Sequence, residues 1–270
     1  MKTSRFDISG KNCLITGSAG LLGKEHAMAL LEVNANLLLT DTNTKKLKIL
    51  KKKLVKIYPK SKIHIFYMDV TKEKSIKKII NILNKKKIDV NILINNAAID
   101  SKLLNNQDMT NTESFEKLKI KTWNKHLSVG LTGTMLCSKF FGEEMSNNKS
   151  GGKIINIASD LSIIAPNHSI YKKGIFKPVM YSVIKHGVIG LTKYISTYWN
   201  NKNITCNAIS PGAVHNKQSK VFINKLKKLI PLARLAKNDE YRGAVQFLCS
   251  DASNYMTGQN LIIDGGRSVW

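Results

Sequence analysis

A tyrosine and a lysine four residues apart offer the clearest chemistry in this sequence. Tyr181 and Lys185 lie in the stretch YSVIKHGVIGLTKYISTYW, whose apolar spacing predicts a long helix. Residues four apart share one face of a helix. A phenol of ordinary pKa, about 10, is a poor base at neutral pH, but a neighbouring ammonium favours the phenolate and lowers that pKa. The pair could move a proton to or from a substrate oxygen, although the same spacing also occurs in surface pairs.

A serine after an apolar run is a second candidate. Ser159 follows the strand-like segment KIINI at residues 153–157, and open α/β sheets bind ligands at the carboxyl ends of their strands. Its hydroxyl could donate a hydrogen bond to a substrate oxygen, or it could cap the next turn. Tyr171 is a rival acid, but position 175 is isoleucine, so no lysine follows it by four.

A glycine-rich turn, TGSAGLLG at residues 16–23, joins the first predicted strand to a helix. Such a turn brings backbone N–H groups and the positive end of a helix to a pyrophosphate. Asp41 follows the second predicted strand, near the spacing of about 20 residues at which a carboxylate accepts hydrogen bonds from the adenosine ribose. The sequence therefore predicts a dinucleotide site made by Gly17, Ser18, Gly20, Leu21, Leu22, Gly23 and Asp41.

The acidic residue also indicates which dinucleotide binds. A carboxylate at Asp41 repels a 2′-phosphate, the glycine turn contains no arginine, and the nearest cation is Lys24. We therefore expect NAD(H) in preference to NADP(H). Alternatively, Asp41 forms the turn before Thr42 and Asn43.

Short apolar runs alternate with longer segments of helical period along the whole chain. The strand-like runs lie at residues 12–16, 36–40, 63–68, 92–94, 153–157, 204–209 and 260–263. Parallel strands need crossover helices and are buried on both faces, which such continuous apolar runs indicate. We predict an α/β fold, a doubly wound parallel sheet with helices on both faces, as one domain over residues 1–270.

Composition narrows the class of protein further. The chain has 43 Lys+Arg against 18 Asp+Glu, a net charge of +25, but the excess is mostly lysine spread through helix-like stretches, so nucleic-acid binding is not favoured. No apolar stretch reaches the length of a spanning helix or a signal peptide, which predicts a cytoplasmic protein with no membrane partner. The four cysteines are widely spaced, so no disulfide framework or metal site is expected.

Seven motifs in order resemble those of the short-chain dehydrogenase/reductase family over essentially the whole chain. They are TG at Thr16, DV at Asp69, NNAA at Asn95, Ser159, Tyr181 with Lys185, NAISPG ending at Gly212, and TG at Thr257 leading to DGG at Asp264. The resemblance implies a Rossmann-type fold and a catalytic set of Ser159, Tyr181 and Lys185, with Lys185 also binding the nicotinamide ribose. It further implies cofactor contacts from Asp69, Val70, Asn96, Ala97, Ala98, Pro211, Gly212 and Val214. Asn95 would line the same cleft or instead tie neighbouring strands together.

The chain departs from the family pattern in several places. The spacing of Gly17, Gly20 and Gly23 resembles that of longer, sugar-nucleotide-handling relatives. Gly130 stands where the family usually has an asparagine whose helix bulge helps to hold a proton-relay water. An insertion at 163–178, with His168, Tyr171, Lys172 and Lys173 for a polar or anionic substrate, and a lysine-rich segment at 214–235 are expected to cover the substrate.

These features predict an NAD(H)-dependent oxidoreductase that interconverts a secondary alcohol and a ketone, on a polyol, sugar or sugar derivative. The insertion and the FKP-x-x-YS run resemble a subgroup of sugar-modifying enzymes of surface-glycan pathways. Two alternatives stay open: a 3-oxoacyl-carrier-protein reductase, and a catalytically weak nucleotide-sensing module in which Gly130 marks a decayed relay. The family resemblance also implies a homodimer or homotetramer.

Overall fold

The computed structural model describes residues 4–99, 114–148 and 150–270. It contains a seven-stranded, wholly parallel sheet in the order β3-β2-β1-β4-β5-β6-β7, with helices on both faces. The predicted doubly wound fold is confirmed. Because the strand order reverses between β1 and β4, the crevice at their carboxyl ends is the position where such sheets bind ligands.

The strands agree with the predicted runs to within about two residues at each end. They are β1 (Asn12–Thr16), β2 (Asn36–Asp41), β3 (Ile63–Tyr67), β4 (Ile92–Asn95), β5 (Gly152–Ile157), β6 (Ile204–Pro211) and β7 (Asn260–Ile263). The helices are α1 (Leu21–Glu32), α2 (Thr44–Ile57), α3 (Glu73–Lys85), α4 (Ile120–Leu127), α5 (Gly133–Asn147), α6 (Val179–Tyr198), α7 (Lys220–Leu226) and α8 (Arg242–Cys249). A π-helical turn, Ser128–Thr132, joins α4 to α5.

The sheet is buried on both faces because successive strand residues point to opposite sides. Ile15 belongs to the core layer under α1 and α8, whereas its neighbour Leu14 belongs to the layer under α3 and α5. Both side chains are fully buried. This burial explains why the strands read as continuous apolar runs rather than as alternating ones.

The lysine-rich helices are amphipathic. Helix α2 buries Leu47, Leu50 and Leu54, and its lysines lie on the outer, largely exposed face. Helix α3 likewise buries four apolar residues against the sheet. Most of the positive charge on these two helices therefore lies toward solvent.

All four cysteines, Cys13, Cys137, Cys206 and Cys249, are free and buried. Burial in apolar surroundings raises the pKa of the Cys137 and Cys249 thiols to about 12 and raises those of Cys13 and Cys206 as well. In the part of the chain that the structure describes, no cluster of side chains suited to a metal ion occurs. None of the helices described there is long and apolar enough to cross a membrane.

Candidate active site

A cavity of about 600 Å³ lies at the carboxyl edge of the sheet. It brings together residues that are far apart in the chain, because parallel strands all end at the same edge. The predicted site residues that line it are Gly17, Gly20, Leu21, Leu22, Asp41, Asp69, Val70, Asn96, Ala97, Ala98, Ser159, Tyr181, Lys185, Pro211, Gly212 and Val214.

Two predicted cofactor-binding residues, Ser18 and Gly23, do not line the cavity. The backbone N–H and the hydroxyl of Ser18 both donate to the Thr40 carbonyl oxygen, at 3.0 and 3.1 Å. A Cβ on Gly23 would lie 2.5 Å from the Gly17 carbonyl oxygen. Both residues therefore lie behind the turn. There they maintain the shape of the turn and its close packing against the start of α1.

Hydrogen bonds from the residues directly after β4 hold the glycine turn in place. The Asn96 side-chain amide donates to the carbonyl oxygens of Thr16 and Gly17, both at 3.0 Å, while the Thr16 hydroxyl accepts from the backbone N–H groups of Asn96 and Ala97. Gly17 has a φ of +60°, and a Cβ there would lie 2.8 Å from the Ala97 Cα atom. Only glycine fits this left-handed, close-packed position.

Asn95 does not line the cavity. Its side-chain amide donates to Ser138 Oγ at 2.9 Å and to Asn156 Oδ1 at 2.8 Å, so it links β4 to β5 and α5. This arrangement fits the structural alternative raised from the sequence rather than a cofactor contact.

Asp41 contacts the glycine turn directly. Its Oδ2 atom accepts from the Ala19 backbone N–H at 3.1 Å, and its Oδ1 atom accepts from the Asn43 N–H at 2.9 Å. The carboxylate thus forms the turn after β2 and also lines the cavity. The two roles considered for Asp41 do not exclude each other.

Tyr181 and Lys185 line the same cavity from α6. Lys185 is buried, its Nζ donates to the Ile157 carbonyl oxygen at 2.7 Å, and this atom lies 5.7 Å from the centroid of the Tyr181 ring. A second ammonium, that of Lys177, lies 3.7 Å from the same centroid. Lys177 was not predicted, although its spacing of four before Tyr181 could have indicated it.

The Ser159 hydroxyl has two hydrogen-bond partners just after β5. Its hydroxyl oxygen accepts from the Leu161 N–H at 3.2 Å, which is a capping contact, and the hydroxyl donates to Asp160 Oδ1 at 2.8 Å. The other oxygen of Asp160 forms an ion pair with Arg267 at 2.7 Å. Asp160 and Arg267 also line the cavity, and the sequence reasoning missed both.

Gly130 lies within the π-helical turn. A Cβ there would lie 2.8 Å from Ile184 Cγ2, so Ile184 occupies the space that a side chain at position 130 would need. The Gly130 carbonyl oxygen accepts from the Thr134 hydroxyl at 2.9 Å.

The two chain segments expected to cover the substrate both reach the cavity. Tyr171 and Lys177 line it from the insertion, and Phe222 lines it from α7, with the Tyr171 and Phe222 ring centroids 5.3 Å apart. His168 packs against Phe176 at 5.6 Å and does not line this cavity. Lys172 and Lys173 are exposed and also lie outside it.

Comparisons with known proteins identify the class. The family model described as enoyl-(acyl carrier protein) reductase, of the short-chain dehydrogenase type, matches residues 17–268. The chain belongs to the short-chain dehydrogenase/reductase family, a family of NAD(P)-dependent oxidoreductases, and the resemblance read from the motifs is confirmed.

Individual relatives cover nearly the whole chain. The sequence is 32% identical over 269 residues to an NAD-dependent glycerol dehydrogenase of Listeria innocua, covering 98% of this chain and 96% of that one. It is 30% identical to a 2-dehydro-3-deoxy-D-gluconate 5-dehydrogenase of Bacillus subtilis, covering 97% and 96%. It is 28% identical to a 3-oxoacyl-[acyl-carrier-protein] reductase of Aquifex aeolicus, covering 96% and 98%.

Solved structures agree with the fold and show both dinucleotides. A short-chain dehydrogenase of Leptospira borgpetersenii with bound NAD⁺ superposes with a TM-score of 0.85 at 30% identity, covering 100% of this chain and 97% of that one. A gluconate 5-dehydrogenase of Burkholderia cenocepacia in complex with NADP and tartrate gives 0.86 at 26% identity, covering 98% of each chain. Relatives of this chain thus bind either NAD or NADP.

Proposed function

We propose that this protein is an NAD(H)-dependent oxidoreductase that interconverts a secondary alcohol and a ketone on a polyol, a sugar or a sugar derivative. The observation that carries the proposal is one cavity lined by the glycine turn, Tyr181, Lys185 and Ser159. The relatives named as polyol and sugar-acid dehydrogenases support the substrate class.

The first turn of α1 suits the pyrophosphate of a dinucleotide. The first backbone N–H groups of a helix have no partner within the helix. Here no side chain caps them, and Leu21 and Leu22 line the cavity. Their N–H groups and the positive end of α1 would hold the pyrophosphate, while Asp41 would accept from the adenosine ribose hydroxyls. A bound nicotinamide supplies the acceptor or donor of the hydride.

The side chains of this protein would handle the proton. In the oxidation direction, the phenolate oxygen of Tyr181 accepts the hydroxyl proton of the alcohol while the carbinol hydrogen leaves as hydride. The Lys185 ammonium, anchored on the Ile157 carbonyl oxygen, stabilises the phenolate by its charge. Ser159 would orient the reacting oxygen of the substrate. To donate a hydrogen bond to it, the Ser159 hydroxyl must turn away from Asp160.

Turnover tests the proposal. The purified protein is incubated with NAD⁺ and a panel of polyols, or with NADH and ketosugars, and NADH absorbance is followed. We expect turnover with at least one polyol, and we expect Tyr181→Phe to lower kcat by about 100-fold or more, since the phenol proton acceptor is lost. NADH binding, measured by fluorescence, should change by less than about twofold.

The controls separate the proposal from its rivals. Tyr255→Phe, at a fully exposed ring, should behave like the unmodified protein. A larger loss of turnover in Tyr171→Phe than in Tyr181→Phe would contradict the assignment of the acid. Binding of NADH without turnover of any substrate would instead support the nucleotide-sensing alternative.

A 3-oxoacyl-carrier-protein reductase is the second candidate. The net charge of +25 suits an acidic carrier protein, and the Aquifex aeolicus relative carries that name. Reduction of acetoacetyl-CoA with NADPH, faster than any polyol turnover with NAD⁺, would favour this candidate.

The preference for NAD(H) makes a separate prediction at Asp41. Asp41→Asn keeps the size of the side chain but removes the charge that repels a 2′-phosphate. We expect the ratio of kcat/KM for NAD⁺ to that for NADP⁺ to fall by about tenfold, which corresponds to roughly 1.4 kcal/mol. An unchanged ratio in a variant of unchanged Tm would show that Asp41 serves the turn alone.

A further inference from the structure

An ion pair at the substrate end of the cavity has no role in the reaction described above. Arg267 Nη1 lies 2.7 Å from Asp160 Oδ2, and the two side chains are only 9% and 5% exposed. Both residues line the cavity. Because the other oxygen of Asp160 accepts from the Ser159 hydroxyl at 2.8 Å, a single carboxylate links the guanidinium to the Ser159 hydroxyl.

A tight turn after β7 brings Arg267 to this position. Asp264 accepts from the backbone N–H groups of Gly266 and Ser268, at 2.9 and 2.8 Å. Gly265 and Gly266 have φ values of +70° and +89°, in the left-handed region that glycine adopts without strain. The turn at residues 264–268 thus fixes the backbone from which the arginine side chain reaches the cavity.

The guanidinium retains binding capacity. Arginine has five N–H donors, and among the described residues only Asp160 accepts a side-chain hydrogen bond from Arg267 within the cavity. A buried ion pair contributes little net stability, because its desolvation cost offsets the attraction between the charges. A planar fork of donors on a cavity wall is suited to a carboxylate or a phosphate.

The charged side chains that line the cavity near Arg267 are mostly positive, which suits an acidic ligand. At the substrate end the cavity is lined by three cations, Lys177, Lys185 and Arg267, against one carboxylate, Asp160. The other two acidic residues of the cavity, Asp41 and Asp69, lie at the ends of β2 and β3, toward the glycine turn. The ammonium groups of Lys177 and Lys185 lie 3.7 and 5.7 Å from the centroid of the Tyr181 ring, so positive charge lies beside the proposed proton acceptor as well.

We propose that the substrate carries an acidic group, a carboxylate or a phosphate, and that Arg267 binds this group while Asp160 orients the guanidinium. Lys177, another cation of the cavity lining, adds electrostatic attraction. This inference rests on the proposed alcohol–ketone oxidoreductase function and narrows its substrate class.

Matched probe pairs test the inference. D-gluconate and D-glucitol share a carbon skeleton and differ in a carboxylate, and D-glucitol 6-phosphate adds a phosphate to D-glucitol. We expect kcat/KM with NAD⁺ to be higher for an acidic probe than for D-glucitol. Arg267→Gln should lower kcat/KM for that acidic probe by about 10- to 100-fold, mainly through KM, since a charge-assisted contact is lost, and should change the value for D-glucitol by less than about threefold.

Three further variants control for structure. Lys173→Gln removes an exposed cation of the same insertion that lies outside the cavity, and both probes should keep their values. Arg267→Lys keeps a charge opposite Asp160 but loses the planar fork, so it should recover only part of the loss. Because Arg267→Gln leaves Asp160 unpaired, the double variant Asp160→Asn with Arg267→Gln removes both charges and should show the same selective loss.

Binding is measured alongside turnover, as the rise in Tm of the NADH-loaded enzyme on adding each probe. A rise with gluconate or glucitol 6-phosphate that disappears in Arg267→Gln supports the inference. Equal losses for acidic and neutral probes, or no Tm rise with either acidic probe, would overturn it and show that the ion pair only fastens the segment after β7. Turnover of D-glucitol without any acid preference would overturn the inference but leave the oxidoreductase standing, whereas no turnover of any polyol would remove the proposed function itself.

Discussion

At the scale of single residues, the site contains groups that motif spacing predicts and groups that only the fold brings in. Ser159, Tyr181 and Lys185 are recognisable because each keeps its position in an ordered pattern. Arg267 lies 107 positions from Asp160, and nothing local to either residue indicates the other. Long-range ion pairs of this kind cannot be predicted from one sequence, because they depend on how separate segments meet in space.

His26 is a residue whose behaviour the sequence did not indicate. It lies on α1 behind the glycine turn and is fully buried, and a contact with the Asn96 side chain offsets only part of the effect of this burial. Burial lowers the pKa of its imidazole from an ordinary value of 6.5 to about 4. The folded protein therefore holds His26 uncharged at neutral pH.

The lowered pKa predicts a loss of stability in acid. Between pH 6.5 and pH 4 the unfolded chain binds a proton at His26, whereas the folded protein does not. The free energy of unfolding therefore falls as the pH falls through this range. The proton at His26 lowers the free energy of unfolding by about 3 kcal/mol, and this loss is complete below about pH 4. We expect His26→Gln to lose less stability than the unmodified protein between pH 7 and pH 4, as measured by urea unfolding.

His186→Gln provides the control, since this histidine is exposed on α6. The carboxylates that titrate in the same range are common to all three proteins. If His26→Gln lost as much stability as the other two, the pKa of His26 would not be lowered by burial.

At the scale of the elements, the sequence predicted the strands well and the irregular segments poorly. Parallel strands such as β1 and β5 are continuous apolar runs, so their positions are evident. The π-helical turn Ser128–Thr132 has no such signal, because the chain remains helical on both sides of it. Only the family resemblance indicated the position of this turn, because Gly130 stands where the family usually has the asparagine of a helix bulge.

Gly130 and Ile184 form a size-matched pair, which predicts non-additive effects of mutation. Gly130→Ala would place a methyl group 2.8 Å from Ile184 Cγ2, so we expect a net destabilisation of about 1–2 kcal/mol even after the gain in helix propensity. Ile184→Ala should relieve this clash. In a double-mutant cycle measured by chemical unfolding, the double variant should therefore be more stable than the sum of the two single effects predicts.

Gly190→Ala is the matched control for this cycle. Gly190 lies on α6, and no atom lies within 4 Å of the position that its Cβ would take. This substitution should raise the free energy of unfolding by up to about 1 kcal/mol through helix propensity alone. Additive effects of Gly130→Ala and Ile184→Ala would show that α6 does not constrain position 130.

At the scale of the whole molecule, α6 carries two large exposed aromatic side chains near its C-terminal end. Tyr194 and Tyr198 are 63% and 62% exposed, and their rings stack with centroids 5.7 Å apart. Large exposed aromatic side chains are common at interfaces between proteins. The homodimer or homotetramer implied by the family resemblance would cover such a surface.

We therefore predict that Tyr198→Glu weakens self-association. Light scattering coupled to size-exclusion chromatography should give a dimer or tetramer for the unmodified protein and a smaller species for the variant, because a carboxylate is costly to bury in an interface. Tyr255→Glu, at a fully exposed ring elsewhere, should leave the mass unchanged. A monomeric mass for the unmodified protein at micromolar concentration would contradict the prediction.

The burial of every cysteine has a practical consequence for following the segment at 214–235 in solution. With Cys13, Cys137, Cys206 and Cys249 enclosed and their thiols held protonated by raised pKa values, maleimides have little native thiolate to attack. One cysteine introduced at the exposed Val221 on α7 could carry a fluorophore without removing any native residue from the core. Its emission during substrate addition would report movement of α7 against the cavity on the timescale of catalysis.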